Sequence, residues 1–164
     1  MSPFVSPRPL PETSESPLLR VDFTDDQAWA SLRAEIVASG ARYGIDFEFV
    51  TFVDDPAYQQ LSIEQLRALV PADYQYGELV LADGATFASI EHPLLVIDLD
   101  PDAPPEEPIR IAPDAFYSVT TNLELGNLSF AEFAELADED GIYRISDREW
   151  EAVAAMIGYD PGKR

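Results

Sequence analysis

Four aspartates, Asp22, Asp54, Asp98 and Asp100, stand at or just past the ends of three apolar runs. Carboxylates are hard oxygen ligands, and three or four converging on one point can bind a divalent cation such as Mg²⁺. A cation held in that way supports hydrolysis or phosphoryl transfer. Convergence requires the three runs to be parallel strands, because open α/β sheets gather their ligand sites beyond the carboxyl ends of the strands. The plainer reading is that acids follow strands because turns and helix N-termini come next, as Asp25 and Asp26 illustrate. The usual company of a phosphoryl site is also missing. There is no phosphate loop and no lysine before Lys163, and Arg110 reads as an ordinary surface residue.

Other chemistries are poorly supplied. His92 is the single histidine, so a hydrolytic triad needs it as base with Ser89 or Ser118 as nucleophile. No Gly-x-Ser-x-Gly elbow is present, and His92 precedes a proline at a strand entry, where a capping or solvated role is expected. The chain has no cysteine. That excludes a disulfide scaffold, a thiolate metal site and a cysteine nucleophile. Without a Gly-x-Gly-x-x-Gly or Walker loop, no nucleotide cofactor is expected.

The formal charge is −21, from 31 acids against ten bases. Such a surface repels phosphates and anionic lipid, so neither nucleic acid nor membrane is an expected partner. It suits a basic protein or a cation, although solubility or salt adaptation explains the charge equally well. Hydrophobic content of 46% with nine Phe, seven Tyr and two Trp argues for a folded globule. At 164 residues, one domain is expected. No run approaches a membrane span and no secretory signal is present, so the expected compartment is the cytoplasm.

The elements that must position these residues are organised around the run 94–99, bounded by Pro93 and Pro101. It reads as a strand covered on both faces. Before it, 1–17 is a Pro/Ser-rich stretch that reads as a flexible arm, and 18–23 and 45–53 read as strands. Thr24 to Gln27 has the form of a capping box for a helix ending at Gly40. Ser62 to Gln65 predicts a second capped helix over 63–69, and 78–82 a third strand. Asp83-Gly84 is a turn signal that predicts an antiparallel return strand over 85–90; the alternative is a tight connection after a parallel strand. Beyond the proline-rich loop 101–108, a short strand is expected at 109–111 and a helix from Pro113. Capping boxes at Ser129 and Ser146 predict helices over 130–137 and to about Ile157, with an edge strand at 141–145 between them. The expected fold is α/β (or α+β), a single domain over 18–158 with a tail at 159–164. It has a mixed sheet of about five strands packed with four helices.

The stretch 122–130 is an unusual connection. Asn122 and Asn127 are expected to satisfy backbone groups there, with Gly126 supplying a positive φ. Read functionally, it is a recognition loop with an apolar ridge of Leu123, Leu125 and Leu128. Glu132, Glu135, Asp138, Glu139 and Asp140 give the following helix a strongly negative end, suited to solvent or to a basic partner.

Several segments together resemble a known family. They are Leu18-Leu-Arg-Val-Asp-Phe-Thr-Asp-Asp-Gln-Ala-Trp29, Phe52-Val-Asp-Asp-Pro56, His92-Pro-Leu-Leu-Val-Ile-Asp-Leu99 and Asn122-Leu-Glu-Leu-Gly-Asn-Leu-Ser-Phe-Ala-Glu-Phe133. The family is a bacterial domain-of-unknown-function family of small acidic proteins, and the likeness spans roughly 18–145. The resemblance implies a bacterial cytoplasmic protein and carries no activity, cofactor or catalytic residue.

The favoured expectation is a non-catalytic acidic binding protein, an inhibitor or immunity-type protein for a basic partner. It would bind through Asn122, Leu125, Asn127, Glu132 and Glu135, with no cofactor. The alternative is a divalent-metal-dependent hydrolase or phosphoryl-transfer enzyme, with a cation such as Mg²⁺, built on Asp22, Asp54, Asp98 and Asp100. Mimicry of nucleic acid charge is a third possibility.

Overall fold

The computed structural model describes residues 7–42 and 44–146. A six-stranded mixed sheet forms the middle layer, in the order β2-β1-β3-β4-β5-β6. Its strands are β1 (Pro17–Arg20), β2 (Thr51–Val53), β3 (Glu78–Ala82), β4 (Leu94–Asp98), β5 (Ile109–Ile111) and β6 (Ile142–Tyr143). The helices are α1 (Asp26–Arg42), α2 (Ile63–Arg67), α3 (Gly84–Ala88), α4 (Phe116–Glu124) and α5 (Phe130–Leu136). This is the expected α/β class, with six strands and five helices among the described residues.

Alternation along the strands splits the apolar side chains between two cores. Leu18, Val80, Leu94, Val96 and Ile111 face Trp29, Leu32 and Ile36 of α1, Phe116 and Val119 of α4, and Phe133 of α5. Leu19, Leu79, Leu81 and Ile97 point the other way, onto Leu10, Tyr58 and Leu66 of α2. Because both faces are covered, β3 and β4 read as near-continuous apolar runs. Each fully buried Leu, Val or Ile contributes roughly 1.5–3 kcal/mol before entropy is counted.

Strand direction decides where the functional groups go. β1 pairs in parallel with β2 and with β3, and β5 pairs in parallel with β6. β4 is antiparallel to both of its neighbours. It therefore ends at the edge of the sheet where β1, β2 and β3 begin.

The antiparallel return strand expected over 85–90 is instead α3. Asp83 caps that helix: its side chain accepts from the Thr86 N–H, while the Thr86 hydroxyl accepts from the Asp83 N–H. The reciprocal cap outweighs the hairpin signal of Asp83-Gly84, and the return to the sheet is delayed to β4. Asp25, not Thr24, caps α1 by accepting from the Ala28 N–H, because Thr24 is bound to Asp22 Oδ1 through both its N–H and its hydroxyl. α1 runs past Gly40 to Arg42 and closes with Gly44 at φ +76°: the Ile45 N–H donates to the Gly40 carbonyl and the Gly44 N–H to that of Ala41. Gly40 serves packing, since a Cβ there would lie 2.5 Å from the Phe49 ring. β2 is three residues long rather than nine, because Phe49 and Val50 leave the ladder to pack on the helical core.

The segment expected as a flexible arm is tied down from Pro9 onward. Leu10 is buried, its N–H donates to the Leu69 carbonyl, and the Tyr58 hydroxyl donates to the Pro9 carbonyl. The capped helix expected to run to about Ile157, the tail and residues 1–6 lie outside the described residues.

Candidate functional site

The carboxyl ends of β1 and β2 carry Asp22 and Asp54, and both are occupied with local work. Asp22 organises the turn at Thr24. Asp54 lies 3.3 Å from Arg20, which Asp26 holds at 2.7 Å from the other side. Arg20 is 3% exposed, donates Nε to the Asp22 carbonyl, and stacks 4.4 Å from the Phe23 ring centroid and 5.4 Å from that of Trp29. A buried guanidinium needs anions, and these aspartates supply them.

Asp98 and Asp100 lie at the opposite edge, because β4 runs the other way. The expected four-aspartate metal site is therefore not assembled: the strands carrying its two halves are antiparallel. Among the described residues, no group of three or more acidic or histidine side chains is arranged to hold a metal ion. Asp98 accepts the Asp100 and Glu106 N–H groups at 2.9 Å each, and Asp100 accepts that of Asp102 at 2.8 Å. Together they fold the proline-rich loop back on itself.

Histidine and arginine also have local roles. His92, at φ +52°, places Nδ1 3.2 Å from Glu35. Ser89 Oγ accepts from the Glu91 N–H, and Ser118 is buried on α4. Arg110 is not an ordinary surface residue but clamps Asp83 with two bonds of 2.7 Å. Burial alone would raise the Asp83 carboxyl, but Arg110 and Thr86 hold it below the usual carboxylate range.

The opposite edge also contains what sequence reasoning missed. A groove of about 960 Å³ opens between the segments 70–78, 98–105 and 123–132. Glu78, the first residue of β3, lines it and is 4% exposed. Its register partner is Asp98, so two carboxyl groups stand directly opposite each other on adjacent strands. The neighbouring carboxyl is that of Glu124, at the end of α4, and two carboxyl groups can share a hydrogen bond only when one of them carries a proton. Burial, then Glu124, with a lesser push from Asp98, raises the Glu78 carboxyl from 4.5 to about 9. Its Oε1 is buried without a hydrogen-bond partner.

Around this acid stand two half-buried tyrosines, Tyr74 and Tyr76, with ring centroids 5.7 Å apart and edge to face. Burial, reinforced by the neighbouring groups, pushes Tyr74 up to about 12, so it stays a neutral phenol. Arg67 of α2 donates Nε to the Asp98 carbonyl at 3.0 Å. Gly77 leaves the wall bare, since a Cβ there would meet nothing within 4 Å. A signal for Glu78 was available: it stands in register with Val80 and Ala82 at the head of a wholly buried strand, where a charged residue is out of place. Arg20 carries the same signal after Leu18.

Of the residues expected to meet a partner, Asn122 and Asn127 are held internally. Asn122 donates to the Ser118 carbonyl at 2.8 Å, and its own side-chain and backbone oxygens accept from Asn127, with Gly126 at φ +70°. Leu125 is 62% exposed, Glu132 lines the groove, and Glu135 faces solvent on α5.

Residues 15–146 match the family described as a domain of unknown function, DUF6924. The chain belongs to the DUF6924 family. Both walls of the groove and the Arg20 cluster lie inside the DUF6924 match, whereas Leu10, which seals the second core, precedes it. No curated protein matches the chain. No helix among the described residues is long and apolar enough to cross a membrane.

Proposed function

We propose that this DUF6924 protein is a non-catalytic acidic binding protein of the bacterial cytoplasm, of the inhibitor or immunity type. It takes a basic segment of a protein partner into the groove at the start of β3. The observation that carries this reading is Glu78, a buried carboxyl with an unsatisfied oxygen in an open groove. Glu132 and Asp100 line the rim, Arg67 is the single base among the described lining residues, and the chain carries a net charge of −21. Complementary charge of this kind steers a cationic partner and suppresses acidic ones.

The test is calorimetric titration of the full chain with an arginine-rich peptide at low and at moderate salt. Replacing Asp100 and Glu132 together by lysine is expected to weaken binding by at least about tenfold, or about 1.4 kcal/mol. Replacing Asp25 and Glu35, which belong to the opposite edge of the sheet, in the same way is expected to cost much less. Equal losses in the two variants would mean a diffuse charge effect and would contradict a groove.

A further inference from the structure

Resting on that reading, we infer that Glu78 and Glu124, backed by Asp98, form a receptor for one guanidinium group, an arginine side chain of the partner, at the buried, unpartnered Glu78 oxygen in the groove. The acceptors are already apportioned. Asp98 already accepts from the backbone N–H groups of Asp100 and Glu106, one on each oxygen, so it contributes mainly charge. Glu124 Oε1 accepts from the Ser16 hydroxyl at 2.9 Å, so Oε2 is the oxygen left for a new donor. Among the described residues, Glu78 Oε1 has no hydrogen-bond partner.

A ligand for these acceptors must therefore bring several donors and a positive charge. A guanidinium offers five N–H donors in a planar fork matched to carboxylates, and it sheds water more readily than an ammonium. The faces of Tyr74 and Tyr76 in the same groove favour a flat cation. A bare metal ion has too few free oxygens here.

The groups that face Glu78 are Glu124 from α4, Asp98 from β4 and Tyr74 from the segment before β3. None of these is a base; Arg67 of α2, which lines the same groove, is spent on the Asp98 carbonyl. Near neutral pH, binding exchanges charge for charge. The guanidinium pairs with the Glu78 carboxylate, one proton leaves for solvent, and no covalent bond other than that O–H changes.

The probe is a hexa-arginine peptide, titrated at pH 7.5 into the full chain in two buffers of different ionisation enthalpy. The expected result is release of about one proton per bound peptide, falling toward zero above pH 10. Glu78→Gln is expected to abolish the proton release and weaken binding about tenfold or more, and hexa-lysine to bind about tenfold less tightly than hexa-arginine. Gly77→Leu, which narrows the groove from its bare wall without touching a carboxyl group, is expected to weaken binding as well. Wild-type binding without proton release, or with Glu78→Gln and Gly77→Leu unchanged, overturns the receptor. If that binding is still lost in the Asp100→Lys/Glu132→Lys variant, the acidic groove survives without it. No binding to the wild-type chain at low salt overturns both.

Discussion

Replacing Glu78 by glutamine should stabilise the protein, and by an amount that depends on pH in a defined direction. The folded chain keeps this carboxyl protonated up to about pH 9, whereas the unfolded chain releases the proton near 4.5. Between those values the unfolded state binds fewer protons, so stability falls as pH rises, by at most about 1.4 kcal/mol per pH unit. The ceiling on the loss at pH 7 is about 3 kcal/mol; relaxation of the site and sharing of the proton with Glu124 reduce it to roughly 1–2 kcal/mol. Glutamine has nearly the same shape, stays neutral and can still donate to Glu124. The difference between Glu78→Gln and wild type should therefore be close to zero at pH 4, grow steadily through pH 7 and level off above about pH 9. Urea denaturation at five pH values, extrapolated to water, measures it. Taking the difference cancels the titration of the acids that do not interact with Glu78. A constant difference across the range, or an advantage for glutamine that shrinks as pH rises, would refute the buried protonated acid.

Three further outcomes test the packing and the sheet edges. Asp26→Ala with Asp54→Ala leaves Arg20 buried without an anion; because the Asp26 side chain is 90% exposed and that of Asp54 44%, the cost should be about 1–2 kcal/mol by urea melts, below the 3–5 kcal/mol of a fully buried pair. Gly40→Ala should destabilise the chain by about 1 kcal/mol, since its Cβ meets the Phe49 ring. In a Phe49→Ala background the same change should stabilise by roughly 0.5–1 kcal/mol, because alanine is the better helix former; the same sign in both backgrounds would contradict the contact. Leu10→Ala should cost about 2 kcal/mol and expose the segment around it to limited proteolysis at unchanged protease concentration.

What was legible in the sequence was local. Ser62 with Gln65 and Ser129 with Glu132 form capping boxes as the spacing predicts, because each closes within one helical turn. The run at β4 is buried on both faces because its apolar pattern leaves no polar side. Strand direction was not legible. Whether β4 runs with β1 or against it depends on how 83–93 is spent, and the reciprocal cap between Asp83 and Thr86 turned a hairpin into a helix and a longer return. That single reversal sends Asp98 and Asp100 to the far edge and places Asp98 opposite Glu78. The Arg20 cluster depends in the same way on β1 and β2 lying side by side, a contact between residues 34 apart.

The most direct measurement is two-dimensional amide NMR of the isotopically labelled full chain during titration with hexa-arginine. The largest shifts should fall at Gly77, Glu78, Leu99, Asp100 and Gly126, around the groove. Largest shifts at residues 22–26 and 54 across the sheet, or a uniform small drift over all acidic positions, would contradict a binding site at the start of β3.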